Sequence, residues 1–318
     1  MTELPRGISI ILATHNRADS LRITLESLAA VKPPTLPWEL LIVDNASSDH
    51  TQEVIAAFAD RLPIVAIKEP RLGKTYALNS AIPRGRYELK LFTDDDVLFD
   101  VNWLCAYERA LQDHPEAGYF GGPIHLKLPN DEVPAWAQDG HGQMAIWIRN
   151  SLSYLDETIV QNSPNSYYGA NMAVRQQTFD EHGLYDSKVT YIGRKRLGGM
   201  ETWLQARFAS AGVPSAYVPD ALVYHRIRPD EMTVKSRLAA RVWMGRSRAK
   251  NNYLAGTQKR FNPRRALSVL RFALTLGLKW PFLPPHERLE QRAGLLMRAA
   301  YEAQMWRMLF TDEDIRGN

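Results

Sequence analysis

Residues 1–100 alternate between two hydrophobic periods, and this alternation limits the fold more than any other feature of the chain. Ile8 to Ala13 is a short β-branched run, whereas Asp19 to Ala30 spaces Leu21, Leu25 and Leu28 along one helical face. Pro33, Pro34 and Pro37 stop that helix, because proline lacks the amide hydrogen and clashes with the preceding turn. Leu40 to Val43 reads as a second strand, Ser48 or Asp49 caps a helix through Val54, Ile55 and Phe58, and Ile64 to Ile67 is a third strand. Thr75 to Ile82 is again helical, Gly85 closes it, and Tyr87 to Phe92 is a fourth strand. The order β-α-β-α-β-α-β predicts right-handed crossovers and an α/β architecture, a mostly parallel sheet flanked by helices.

In an open sheet of this kind, ligands bind beyond the carboxyl ends of the strands. The polar residues that close each strand therefore belong together: Thr14-His15-Asn16-Arg17, Asp44 to Asp49, Glu69 to Lys74, and Asp94-Asp95-Asp96. Three adjacent acids repel one another, and a strand ending in them gains nothing for packing without a cation. A hard divalent metal answers that need, because Mg²⁺ or Mn²⁺ takes carboxylate oxygens and shares its remaining positions with phosphates. A solvated acidic loop is the plain alternative, and Asn16, Asp44 and Ser48 can each cap a turn. Gly73-Lys74 lacks the G-x-x-x-x-G-K-[ST] spacing of a phosphate loop, and no G-x-G-x-x-G follows the first strand, which argues against a nicotinamide enzyme. A mononucleotide site with carboxylates, a lysine and a metal remains.

At 318 residues and 45% hydrophobic content the chain can bury one large core or two smaller ones. Its one cysteine, Cys105, excludes an intramolecular disulfide and reads as a small apolar side chain on a helix. The first residues lack the pattern of a signal peptide, so the expected location is cytoplasmic. Charge is unevenly spread: residues 226–318 carry 19 Lys and Arg against 8 Asp and Glu, and the rest carries 20 against 27. The basic part suits anionic lipid or phosphorylated substrates; nucleic acid comes last, since no aromatic-rich nucleic-acid module accompanies it.

Four runs then carry a resemblance in the right order: Ile-Ile-Leu-Ala-Thr-His-Asn-Arg, Leu-Leu-Ile-Val-Asp-Asn-Ala-Ser-Ser-Asp, Gly-Lys-Thr-Tyr-Ala-Leu-Asn and Phe-Thr-Asp-Asp-Asp-Val. Together they resemble family 2 glycosyltransferases with the GT-A fold. The likeness continues in Tyr168 to Arg175, Gly198 to Leu204 and Val223-Tyr224-His225, covering roughly residues 6–250. The resemblance implies a Rossmann-like GT-A sheet at 1–232, with a nucleotide-sugar half over about 1–100 and an acceptor half over about 101–232; the basic helical extension at 233–318 is read from the residues themselves. The resemblance also implies donor contacts from Thr14, Asn16, Arg17, Asp44, Lys74, Asp94 and Asp95. The metal, Mn²⁺ or Mg²⁺, would bind Asp96 of the Asp-x-Asp motif and His225, and Gly169, Ala170 and Asn171 would face the acceptor.

The relatives' usual Glu-Asp pair before the late helix is where this sequence departs. Aligning that helix on Leu204, Arg207 and Gly212 puts Met200 at the Glu and Glu201 at the Asp, which makes Glu201 the expected catalytic base. An acid favoured by the helix dipole in a first turn is its structural alternative. Of the aromatics, Trp136 and Trp203 are the candidate acceptor contacts, since sugar rings expose apolar faces that suit indoles. Gly193 to Gly199 reads as a mobile loop over the diphosphate or as a solvated turn.

From Met232 onward the chain reads as basic helices over 235–253, 264–280 and about 287–310; the second is too short and too charged to span a bilayer. Peripheral contact with the inner face of a membrane is one use for them, and packing on the protein is the other. The reaction these features predict is metal-dependent, inverting transfer from a nucleotide-diphosphate sugar, a UDP-sugar first, to a glycan or lipid-linked acceptor. A nucleotidyltransferase, or a non-catalytic nucleotide-sugar-binding scaffold, are the alternatives.

Overall fold

A computed structural model describes residues 4–129, 160–161, 167–187, 191–192, 195–196, 199–254, 262–283 and 285–308. They fall into two compact units. One gathers Met1–Leu128, Ala145–Asp186 and Met200–Ile227; the other gathers Pro129–Met144, Ser187–Gly199 and Arg228–Asn318.

The first unit is built on the predicted alternation. Strands β1 (Ile8–Thr14), β2 (Trp38–Asp44), β3 (Ile64–Lys68) and β4 (Leu89–Thr93) are connected through helices α1 (Ala18–Ala29), α2 (Thr51–Ala57) and α3 (Lys74–Ala81). They pair in parallel in the order β3-β2-β1-β4. All of β4 and all but one residue of β1 are buried, as expected of strands covered on both faces. Leu21, Leu25 and Leu28 of α1 point into that core. The fourth strand begins two residues later than its apolar run suggests, because the Tyr87 amide donates to Ser9 Oγ (3.1 Å) and the Glu88 amide to the Pro5 carbonyl (3.1 Å) instead of joining the ladder.

Beyond β4 come β5 (Val97–Phe99), α4 (Trp103–Asp113), β6 (Tyr119–Gly121), β7 (Ile124–Lys127), β8 (Val160–Gln161), β9 (Met172–Arg175) and α5 (Gln176–His182). The next elements are β10 (Tyr191–Ile192), β11 (Lys195–Arg196), α6 (Met200–Ser210), β12 (Ser215–Tyr217) and β13 (Val223–Arg226). The main sheet has eight strands in the order β3-β2-β1-β4-β9-β6-β12-β8. Strand β9 runs antiparallel to both β4 and β6. A separate sheet, β5-β13-β7, sits at the carboxyl end of β4. Tyr191 pairs with Arg196 and Ile192 with Lys195, so a short antiparallel ribbon occupies part of the segment read as a mobile loop; Gly193 and Arg194 lie outside the described residues.

The second unit holds α7 (Val234–Leu254), α8 (Pro263–Lys279) and α9 (Pro285–Arg307). Helices α7 and α9 approach backbone to backbone at Gly245, where an added Cβ would lie 2.1 Å from the Met297 carbonyl oxygen. Ala249, Tyr301, Met305 and Met308 fill the space beside this crossing. Arg237 is buried and pairs with Glu290, which Arg241 also approaches at 3.5 Å. Among the described residues no helix is long and apolar enough to cross a membrane. Because backbone cannot yield as a side-chain tip does, Gly245→Ala should cost about 2–3 kcal/mol in denaturant unfolding of this unit.

Candidate active site

The acids that end β4 are drawn together by one guanidinium. Arg17 Nη1 lies 2.7 Å from Asp95 Oδ1 and Nη2 lies 2.7 Å from Asp96 Oδ2, a fork that neutralises two neighbouring carboxylates at once. Thr14 Oγ1 donates to Asp95 Oδ2 at 2.7 Å. Burial pushes the Asp95 carboxyl up to about 6, against the pull of Arg17. Burial acts on Asp96 in the same sense, yet His225 and Arg17 outweigh it and hold Asp96 below the usual carboxylate range. Thr14 and Asp95 are buried against each other, tying β1 to β4, and Arg17 faces the acids.

His225 reaches the same place through strand register. Strand β13 pairs antiparallel with β5, setting His225 opposite Val97, and the Arg226 amide donates to the Asp96 carbonyl at 2.8 Å. His225 Nε2 thereby stands 3.3 Å from Asp96 Oδ1. That oxygen is buried and accepts no hydrogen bond. Asp94, Asp96 and His225 each offer a ligand atom, all within 4.8 Å of one another. Two carboxylates and an imidazole around an orphaned buried oxygen fit a divalent cation.

The loops after the other strands form a second layer. Asn16 adopts a left-handed conformation (φ 51°), and its Oδ1 accepts from the Ser48 amide at 2.7 Å and the Asp49 amide at 3.3 Å. Ala46 is also left-handed (φ 59°), a strained state for alanine. Asp44 accepts from the Ser47 amide at 2.9 Å and from the Gln52 side chain. Asn45, to which the sequence reading gave no role, links these loops. Its Nδ2 donates to the carbonyls of Glu69 (3.0 Å) and Arg71 (2.7 Å), and its Oδ1 accepts from the Gly73 amide at 2.7 Å. That clamp sets the start of α3, from which the Lys74 ammonium pairs with Asp94. The signal available in the sequence was an asparagine just past a buried strand, where a turn needs a side-chain acceptor and donor together.

Glu201 lies in the first turn of α6, after Gly199 at φ 103°. Its carboxylate packs on the Gly169 backbone: a Cβ at residue 169 would meet Glu201 Oε1 at 2.7 Å. Gln205, one turn further on, accepts from the Tyr167 amide (2.7 Å) and donates to the Tyr167 carbonyl (2.8 Å), so the helix that carries Glu201 is locked to the loop that carries Gly169. Burial pushes the Glu201 carboxyl above its ordinary range, Lys74 draws it back, and Asp94 adds to the rise. Met200 is buried, and Thr75 Oγ1 contacts its sulfur at 3.7 Å. Gly169 and Ala170 are buried as well, with the Ala170 carbonyl accepting from Thr93 Oγ1 at 3.2 Å. Trp203 is half-buried on α6, and Trp136 lies outside the described residues.

Asn171 follows Gly169 and Ala170 in the same turn. It is 0% exposed, and every hydrogen-bonding position of its amide is taken by the protein. Oδ1 accepts from Trp103 Nε1 (2.9 Å) and Tyr107 OH (2.9 Å), while Nδ2 donates to the carbonyls of Pro123 (2.9 Å) and Ala221 (2.6 Å). It staples the turn that carries Gly169. Asn171→Ala should therefore strand the buried Trp103 Nε1 donor and the Ala221 carbonyl, while the Pro123 carbonyl keeps the Val223 amide and Tyr107 OH keeps the residue 171 carbonyl, and it should lower the stability of the sheet by about 3 kcal/mol, read from urea unfolding.

Comparison with known proteins agrees with this geometry. The family model described as glycosyl transferase family 2 matches residues 9–183. The glycosyltransferase AglE of Haloferax volcanii is 24% identical over 254 residues, covering 77% of this chain and 76% of that one. A poly-β-1,6-N-acetyl-D-glucosamine synthase of Staphylococcus epidermidis is 33% identical over 95 residues, which is 30% of this chain and 23% of the synthase. Among solved structures, the mannosyltransferase PcManGT of Pyrobaculum calidifontis with GDP-Man and Mn²⁺ superposes with a TM-score of 0.62 at 17% identity, over 96% of this chain and 88% of that one. TarS of S. aureus, residues 1–349 with UDP-GlcNAc, gives 0.54 at 15% identity over 98% and 95%. At such identities the structural likeness speaks for the GT-A fold, and the family model carries the assignment: the chain belongs to glycosyltransferase family 2.

Proposed function

We propose that the chain transfers a sugar from a nucleotide-diphosphate sugar to a hydroxyl of a glycan or lipid-linked acceptor, with inversion at the anomeric carbon and with Glu201 as base. The observation that supports this most is the grouping of Asp94, Asp96 and His225 around the unsatisfied Asp96 Oδ1, with Lys74 on Asp94 and Glu201 on Gly169. Asp96 and His225 would hold the divalent ion, with Asp94 beside them; the nitrogen ligand favours Mn²⁺ over Mg²⁺. When bound, the ion supplies Lewis-acid neutralisation of the departing diphosphate. The Lys74 ammonium adds a second positive charge for the same oxygens. Asp44 and Asn16, at the ends of β2 and β1, are the candidates for the nucleoside.

In the transfer itself the acceptor oxygen forms a bond to the anomeric carbon as the bond from that carbon to the diphosphate breaks. The acceptor proton passes to the Glu201 carboxylate, and the nucleoside diphosphate leaves. A carboxyl pushed upward by burial is a stronger base than a free one, and Lys74 opposes part of that rise. The donor class is a uridine nucleotide in this reading, and guanosine is its closest competitor because the structural neighbours were solved with UDP-GlcNAc and with GDP-Man.

Calorimetric titration with UDP, GDP, dTDP and ADP should show one nucleotide binding more tightly with Mn²⁺ than without it. Asp96→Ala should remove that Mn²⁺ dependence; binding unaffected by metal or by the substitution would sink the metal assignment. Glu201→Gln should keep donor binding while slowing transfer about 10²- to 10⁴-fold. Because the Glu201 carboxyl titrates above its ordinary range, kcat/KM should fall as pH drops through that raised value, and the active form is the deprotonated one at higher pH. An acid limb unchanged in Glu201→Asp and Glu201→Gln would assign the base elsewhere.

A further inference from the structure

The C-terminal unit presents an apolar face that no described residue covers. Leu267, Leu270, Leu274 and Leu278 recur three or four residues apart and so line one side of α8. All four are exposed, Leu274 at 63% and Leu278 at 80%. The opposite side of the helix is the one that packs. Leu276 is buried there, the Arg298 guanidinium lies 4.6 Å from the Phe272 ring centre, and Arg265 pairs with Glu302 at 3.2 Å while covering the Tyr301 ring. The stripe continues past the helix into Phe282, 86% exposed, with Trp280 beside it. Arg288 donates to the carbonyls of Leu283 (2.8 Å) and Pro281 (3.2 Å), so this turn is braced and holds Phe282 outward.

The charge around the stripe identifies what it meets. From Pro263 to His286, the helix that carries the stripe and the turn that follows, the sequence contains 4 Lys and Arg and no Asp or Glu. Arg264 and Arg271, seven residues apart and both exposed, run along one edge of the leucines, and Lys279 is exposed at the end of the helix. A second copy of the chain would bring this basic surface against itself. Nucleic acid would leave the leucines in water. An anionic bilayer satisfies both parts, taking the apolar side chains at its acyl boundary and the cations at its phosphates.

We propose that Leu267, Leu270, Leu274, Leu278, Trp280 and Phe282 form a face that docks on an anionic lipid surface. This goes beyond the transfer reaction and stands on the surface of the C-terminal unit alone, so its success or failure is independent of the donor and metal assignments. The full chain should float with vesicles of equal parts phosphatidylcholine and phosphatidylglycerol, stay behind with phosphatidylcholine alone, and release as salt rises. The double variant Leu274→Glu/Leu278→Glu alters only exposed side chains and should keep its melting temperature while binding those vesicles at least about tenfold more weakly. Lipid quenching of Trp280 fluorescence, lost in Trp280→Phe, reports insertion of the turn. The proposal is overturned by a wild type that ignores anionic vesicles or by a double variant that binds them as well as wild type. It is equally overturned by a wild-type dimer in sedimentation velocity that the double variant abolishes, which would make the face a contact between two copies.

Discussion

Neighbouring carboxylates held at about 5 Å repel by about 3 kcal/mol at an effective dielectric near 20, and β4 delivers three of them in succession to one place. Arg17 makes that tolerable. Its fork binds Asp95 and Asp96 together, so the chain can leave the sheet through a cluster of acids and still enter β5 in register. The pairing of β5 with β13 then carries His225 to Asp96. Arg17 uses Asp96 Oδ2 and leaves Oδ1 facing the histidine, which divides the carboxylate between a structural contact and an open one. The protein's own cation thus orients the acid without covering the oxygen a metal would take.

A second constraint sets the distance across the site. Gly169 has no side chain because the Glu201 carboxylate occupies the space where one would be. Gln205 fixes the spacing by bonding both backbone groups of Tyr167, and Asn171 fixes the far end of the same turn through four hydrogen bonds. Each of these amides is buried, where a missing partner is costly, and a fully satisfied network holds one geometry. Met200, beside Glu201, puts an apolar side chain against Thr75. Glu201 is left as the acid of that turn, with Lys74 and Asp94 as the charges that tune it.

The C-terminal unit follows different physics. Its helices hold together through close backbone approach at Gly245, a small Met- and Tyr-lined core and buried arginine–glutamate pairs, while an uncovered leucine stripe faces outward. A helix with one packed face and one exposed apolar face, surrounded by cations, is suited to a boundary between water and something both apolar and anionic. The sequence reading found the basic amphipathic character of this region and left its use open between packing and membrane. The structure divides the helix by side: Leu276 and Phe272 serve the packing, and the leucines opposite them are exposed.

Hydrophobic period and chain order determined that the first four strands form a parallel sheet, because alternating strands and helices admit few right-handed solutions, and the pairing then set the order β3-β2-β1-β4. They also placed Asp44, Lys74 and the three acids at one edge, since the carboxyl ends of parallel strands share a side. Tertiary structure decided the rest. Thr14 and Arg17 read as nucleotide contacts, yet they serve Asp95 and Asp96, residues about eighty positions away that only the pairing of β1 with β4 brings near. Asn171 read as an acceptor residue and is sealed by Trp103 and Tyr107 from a helix far earlier in the chain. Asn45 and Gln205 carried no local signal strong enough to name them, because their partners are backbone groups whose positions no motif records. Sequence pattern fixes which residue types reach an edge; which of them face a ligand and which face one another depends on desolvation and hydrogen-bond satisfaction, and those exist only once the chain has closed around them.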